Sequence, residues 1–285
     1  MRTRRIAVVG IDGTGKSTLV DALSARLQSS GQRVRTCRAL QLSGDADWPL
    51  GHLSRSLDLL SSLGDELGLP ALKGVALFLG MSLYGPAETF ITTVLAPEWL
   101  VTERHPLIDA VTYAKFYAPL MRQPIERANE GQILTRLAQI GVEPGLTMAA
   151  IEDWIRQLPV SVDGAPGFFE FPVVLHALFQ LPPAELFDRL REIFRVDLPE
   201  HVAWLKAGIE TANARISAPG EHRRPTRELH ETQDILTLLQ AAYGQTCASV
   251  AQIAPQTQVL TLETDAHHLE SVVDSLLSHA RMGVR

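Results

Sequence analysis

Three glycines, a lysine and three hydroxyl residues stand at fixed spacing in GIDGTGKST, Gly10 to Thr18, and these are the residue types that hold a polyphosphate. Gly10 to Ser17 satisfies GxxxxGK[ST]. Gly10, Gly13 and Gly15 let the backbone N–H groups turn inward, with Thr14 and Thr18 completing the loop. Lys16 reaches the β- and γ-phosphates, and Ser17 offers a hydroxyl to Mg²⁺. Asp12 has no part in gripping phosphate, which it would repel. One alternative for it is a turn-stabilising residue that bonds its own backbone.

The flanks supply the elements that such a loop needs. IAVV before it reads as a buried strand, and STLVDALSARLQ after it carries apolar residues at helical spacing, so the positive end of a helix dipole faces the loop. RVRTCRA (33–39) reads as a second strand after a helix stop at Gly31. EWLVTERHPLIDAVTYAKFYA (98–118) reads as a third strand running into a helix beyond Pro106. HVAWLKA (201–207), the helix ETANARI, a basic turn, the helix ETQDILTLLQAAYGQ, the strand TQVLTLET and a terminal helix from about His267 complete the series. Strands alternating with helices imply an α/β fold, a parallel sheet covered on both faces, whose ligands gather at the carboxyl ends of the strands.

The wording GxDGxGKST resembles the phosphate loop of thymidylate kinases and related nucleoside and nucleotide kinases. TERHPLIDAVTYA is similar to their DR[YHF] segment and to the ER segment of deoxynucleoside kinases. RISAPGEHRRPTRELHETQDILTLLQAAY (215–243) is similar to their lid. The resemblance implies a P-loop NTPase three-layer sandwich with a five-stranded parallel sheet, using ATP and Mg²⁺ to phosphorylate a nucleoside or nucleoside monophosphate. It places Asp12 toward the acceptor's sugar and Arg215 against the adenine, where a flat guanidinium can stack. Glu103 would hold a magnesium-bound water or accept the attacking hydroxyl's proton, and Arg104 would grip the acceptor or the moving phosphoryl group. Some of these kinases carry an arginine inside the loop; Gly13 stands there in this chain. The resemblance therefore assigns the transition-state charge to Arg223, Arg224 and Arg227 of the lid, at about 217–232. The alternative for that arginine cluster is a solvated basic turn.

The resemblance covers the first forty residues, 97–118 and about 198–280, so the expected core is 1–118 with 198–285, and 119–197 is a helical insert. Two segments depart from the family pattern. A REPGG-like loop is replaced by RALQLSGDADWPLG, which keeps Arg38, and LDxxP is replaced by Leu205, Lys206, Ala207 and Gly208. Lys206 reads as an edge residue with a solvated head in preference to a phosphate contact. In the insert, ILTRLAQI, MAAIEDWIRQL and AELFDRLREIF read as amphipathic helices around Pro/Gly turns. Its VEPGLT turn between two helices has the outline of a DNA-reading motif, but seven Arg and no Lys against eleven Asp and Glu is the wrong charge for that role. A cap over the acceptor or a subunit contact fits better. Residues 52–96 are also rich in helix signals, and Phe78, Tyr84 and Phe90 read as core in preference to a base-stacking set.

At 285 residues, 46% hydrophobic and 20% charged, the chain can bury a full core, and a net charge of −6 argues against a nucleic-acid polymer as partner. Cys37 and Cys247 show neither disulfide nor zinc spacing and read as small apolar residues. No uncharged apolar stretch of about 18 residues and no leader-like apolar run is evident, so the expectation is a cytoplasmic protein with no membrane partner. Family likeness implies a homodimer. The competing class is a nucleotide-binding switch, or a degenerate kinase, acting through a bound partner.

Overall fold

The computed structural model describes residues 2–39, 42, 50–139, 147–160, 166–218 and 232–282. Five strands, β1 (Arg4–Val9), β2 (Val34–Arg38), β3 (Trp99–Glu103), β4 (His201–Lys206) and β5 (Gln258–Glu263), form one sheet in the order β2-β3-β1-β4-β5. Every neighbouring pair is parallel. All five lie within the segments that the sequence marked as strands. With helices packed around it, this sheet is an α/β fold consistent with a P-loop NTPase.

Parallel strands need crossover helices, and those helices bury both faces of the sheet. On one face Ile6, Val8, Trp99, Val101, Ala203 and Leu205 pack against α1 (Lys16–Ser29) and α12 (Leu269–Met282), through Leu19, Leu23, Leu27, Val273 and Leu276. The other face carries Trp204. Against it lies α11 (Gln233–Ile253), whose Gly244 is so close that an added Cβ would sit 3.0 Å from the indole ring. α1 stops as expected at Gly31, where φ is 79° and the Gly31 and Gln32 N–H groups close onto Gln28 O and Leu27 O. The last crossover helices are α5 (Pro106–Tyr117), which starts on the proline that the sequence singled out, and α10 (Ile209–Ser217).

The connection after β1 leads toward one edge of the sheet and the connection after β3 toward the other. The carboxyl ends of these two neighbouring strands are therefore where a parallel sheet opens a crevice. Val8 pairs with Glu103 across them, and Glu103 in turn with Arg38 on β2.

Contacts divide the chain into two compact units, Met1–Ala39 with Thr89–Thr112 and Leu198–Arg285, and Leu40–Glu88 with Tyr113–Asp197. The first contains the sheet. The second is helical: α2 (Gly51–Glu66), α3 (Pro70–Ser82), most of α4 (Tyr84–Phe90), α6 (Glu130–Gln139), α7 (Met148–Gln157), α8 (Phe171–Leu178) and α9 (Pro183–Phe194). Phe78 is the centre of its core, with ring centroids 5.8, 6.2 and 5.1 Å from Phe171, Phe179 and Phe194. Tyr84 is buried as well, while Phe90 is half-buried. The VEPGLT turn, up to Gly145 and Leu146, lies outside the described residues.

Among the described residues one helical run, Pro70–Leu95, is long and apolar enough by length and composition to cross a membrane. Of its most apolar stretch 78% is buried inside the protein, as in a core helix. Lys73 within that run keeps its ammonium 2.7 Å from Asp65 Oδ2.

Candidate functional site

The glycine loop leaves β1 and enters α1 through three glycines with φ of 146° (Gly10), 79° (Gly13) and 87° (Gly15). Two of them are glycine for different reasons. A Cβ on Gly13 would lie 2.3 Å from Ala212 O of α10, so packing as well as conformation excludes a side chain. A Cβ on Gly15 would meet nothing within 4 Å, so there conformation alone demands glycine and the loop borders open space. Thr14, fully buried, ties the loop together by donating from its hydroxyl to Ile11 O at 2.8 Å. The first backbone N–H of the turn with a carbonyl partner among the described residues is that of Leu19, to Gly15 O at 3.0 Å. The amides before it are the donors that a helix start leaves for an anion.

We expect Gly13→Ala to fold poorly and to lose nucleotide binding. Its φ is unfavourable and the methyl has no room, and together these are worth about 2–4 kcal/mol of stability. Thermal denaturation with and without a nucleotide checks it; a variant that melts with the wild type would contradict the loop geometry.

Lys16 is buried, and its Nζ donates to Ile11 O at 2.8 Å and to Asp12 Oδ1 at 3.1 Å. Burial pushes its pKa below the ordinary lysine value and the Arg104 charge adds to this, against the opposite pull of Asp12 and Glu103. An ammonium whose burial Asp12 and Glu103 offset only in part gains from a further anion. Ser17 is half-buried and its hydroxyl takes no hydrogen bond among the described residues; Thr18 is exposed.

Across the crevice, at the end of β3, Glu103 is paired with Arg38 Nε at 3.3 Å. Arg104 follows with φ at 68°, the left-handed region that a non-glycine residue adopts at a cost of about 1–2 kcal/mol. Its N–H donates to Val8 O at 2.8 Å, and its Nη2 reaches Asp12 Oδ1. Its Nη1 donates to Asp109 Oδ2 and to the Tyr243 hydroxyl, each at 3.1 Å. That hydroxyl donates in turn to Asp109 Oδ1 at 2.8 Å. Asp109 and Tyr243 are both 0% exposed. Burial raises the Asp109 pKa above the ordinary carboxylate value, opposed by Arg104 and by the Tyr243 hydrogen bond.

Asp12 therefore accepts from Lys16 on one side and from Arg104 on the other. Four residues singled out in the sequence, Asp12, Lys16, Glu103 and Arg104, meet at the carboxyl ends of β1 and β3. Arg215 lies apart from this cluster, on the α10 side of the loop. Its Nη1 is 3.3 Å from both Gly13 O and Thr264 Oγ1, and its Nη2 is 3.3 Å from Asp265. Asp265 also accepts from the Gly208 N–H at 2.6 Å, which fastens the altered turn after β4. Lys206 ends the interior strand β4, so it is no edge residue, and its ammonium pairs with Glu263 on β5 at 2.6 Å. Arg223, Arg224 and Arg227 lie outside the described residues, as does most of SGDADWPL.

Asp109 and Tyr243 were not singled out as site residues by the sequence. A carboxylate among Leu107, Ile108, Ala110 and Val111 was the available signal, because a charge on an apolar helix face needs a partner. Cys37 and Cys247 are buried and form no disulfide, and the Cys247 thiol is pushed up to about 12 by burial and by Asp109. Among the described residues no group of three or more His, Cys, Asp and Glu side chains is placed to hold a metal ion.

No family model matches the chain. Over 148 residues it is 28% identical to the thymidylate kinase of Parasynechococcus marenigrum (strain WH8102), a match covering 52% of this chain. The match spans 66% of that relative's length, a little under two thirds.

Proposed function

We propose that this chain is an ATP- and Mg²⁺-dependent kinase that moves a γ-phosphoryl group onto a nucleoside or a nucleoside monophosphate. The observation that carries the reading is the convergence of the buried Lys16 ammonium and the Arg104 guanidinium on Asp12, beside a glycine loop bordering open space. Its likeness to a thymidylate kinase supports the same reaction class.

In this reading the backbone amides of Gly13 to Thr18 and the Lys16 ammonium bind the β- and γ-phosphates. Ser17 would ligate magnesium, with Glu103 reaching it through water. The metal, when bound, neutralises charge on the transferring group. The bond from the γ-phosphorus to the bridging oxygen breaks as a bond to the acceptor oxygen forms, leaving ADP. A nucleoside hydroxyl gives its proton to Glu103 or to water, whereas a monophosphate oxygen has none to give. Asp12 accepts from a sugar hydroxyl, and Arg104 grips an anionic group of the acceptor or the moving phosphoryl. The reading leaves Arg215 for the adenine and Arg223, Arg224 and Arg227 for transition-state charge.

A thermal-shift screen of nucleosides and their monophosphates, run with magnesium and a nonhydrolysable ATP analogue, tests the acceptor assignment. An acceptor present at one hundred times its Kd is expected to add about 2.7 kcal/mol of stability, and the same compound is expected to drive ADP release from ATP. ADP release that no acceptor accelerates would contradict the kinase reading in favour of a switch.

A further inference from the structure

We propose that Tyr243 and Asp109 are positioning residues for Arg104, and that the buried pair fixes which edge of its guanidinium is offered to the phosphate loop. The inference rests on the reading of Arg104 as a contact for the acceptor or the moving phosphoryl group. One nitrogen, Nη1, is committed to both partners, Asp109 Oδ2 and the Tyr243 hydroxyl, at 3.1 Å each. The hydroxyl closes the triangle on Asp109 Oδ1 at 2.8 Å. The other nitrogen, Nη2, is thereby turned to Asp12 in the loop. A flexible arginine at the mouth of a crevice would sample many rotamers; this one is anchored from α5 and from α11, on a backbone already set in the left-handed region.

The same two helices touch again one turn further on. Asp109 and Thr112 on α5 face Tyr243 and Thr246 on α11, the threonine hydroxyls 3.1 Å apart, so each helix contributes its contacts at i and i+3. Thr112 and Thr246 are both buried. Thr246 therefore shares the structural duty of Tyr243 without its contact to Arg104, and it supplies the control.

Tyr243→Phe keeps the ring and removes the hydroxyl; Thr246→Val breaks the neighbouring contact. With the best acceptor, Tyr243→Phe is expected to lower acceptor kcat/KM about 10–100-fold while KM for ATP stays within about twofold. Thr246→Val is expected to lower the melting temperature and leave both constants in place. Equal kinetic losses in the two variants, or none in Tyr243→Phe, would overturn the proposal. If the wild-type protein phosphorylates no acceptor, the kinase reading falls, and the clamp is decided by NMR of ¹⁵N-arginine-labelled protein. The Arg104 side-chain resonance, identified by its loss in Arg104→Lys, is expected to show faster guanidinium rotation in Tyr243→Phe than in wild type and Thr246→Val, the Asp109 and Asp12 contacts remaining in all three. Rotation equally slow in Tyr243→Phe and wild type overturns the proposal.

Discussion

Replacing Lys16 by alanine is expected to lower the rate of phosphoryl transfer by about three orders of magnitude without unfolding the protein. The rate loss follows from removing a buried cation that the proposed reading turns toward the phosphates, a group worth about 10²–10³-fold or more in a site of low dielectric. The retained stability follows from the cost of keeping that ammonium. Because its pKa is lowered in the fold, the protonated form weakens folding at every pH below the ordinary lysine value, and the penalty fades as pH rises toward that value. Asp12 keeps Arg104 as a partner in the variant. We expect Lys16→Ala to melt within about 1 kcal/mol of the wild type at neutral pH. A variant with wild-type turnover would show that Lys16 is not the phosphate ligand. One that is unfolded would show that the ammonium is structural.

Arg104→Ala should behave differently, losing both activity and stability. Asp109 is fully enclosed, and Arg104 is the cation that offsets its burial. Without it a buried carboxylate is left with the Tyr243 hydroxyl, an arrangement that costs about 3 kcal/mol. The sign of the pH dependence follows from proton linkage. A carboxyl group whose folded pKa lies above its unfolded value of about 4 favours the fold while protonated, and that advantage is lost as pH rises through the folded pKa. Removing Arg104 raises the folded pKa further. The gap in stability between variant and wild type is therefore expected to widen from pH 4 to pH 8, and transfer to fall at least 100-fold. Urea denaturation at several pH values together with steady-state kinetics reads both. A gap that narrows with rising pH would mean that Asp109 does not depend on Arg104.

The difference between what the sequence displayed and what it concealed has a physical cause. Gly10 to Thr18 was legible as the loop between β1 and α1 because its glycines recur at fixed spacing along one short segment, and each takes the positive φ that favours glycine. The inner strands β1, β3 and β4 were legible as largely apolar runs, because a strand covered on both faces carries few polar residues, whereas the edge strands VRTCR and QVLTLE were legible from the turn signals around them. α8 was not, since FPVVLHAL is short and apolar nearly all round and so has no helical period to detect. The union of Tyr243 with Asp109 was hidden for another reason. The two stand 134 residues apart, and only the closing of α11 against α5 brings them together. Glu103 and Arg104 were visible as a pair at a strand end, but the left-handed turn that sends Arg104 back toward Asp12 is a backbone property that its residue type does not announce.

Isothermal titration of the magnesium complex of a nonhydrolysable ATP analogue into the wild-type protein and into Lys16→Ala tests the central claim most directly. We predict saturable uptake of one nucleotide per chain by the wild type and no measurable heat in the variant. Equal uptake by both would contradict the assignment of Lys16, and uptake by neither would remove the nucleotide site itself.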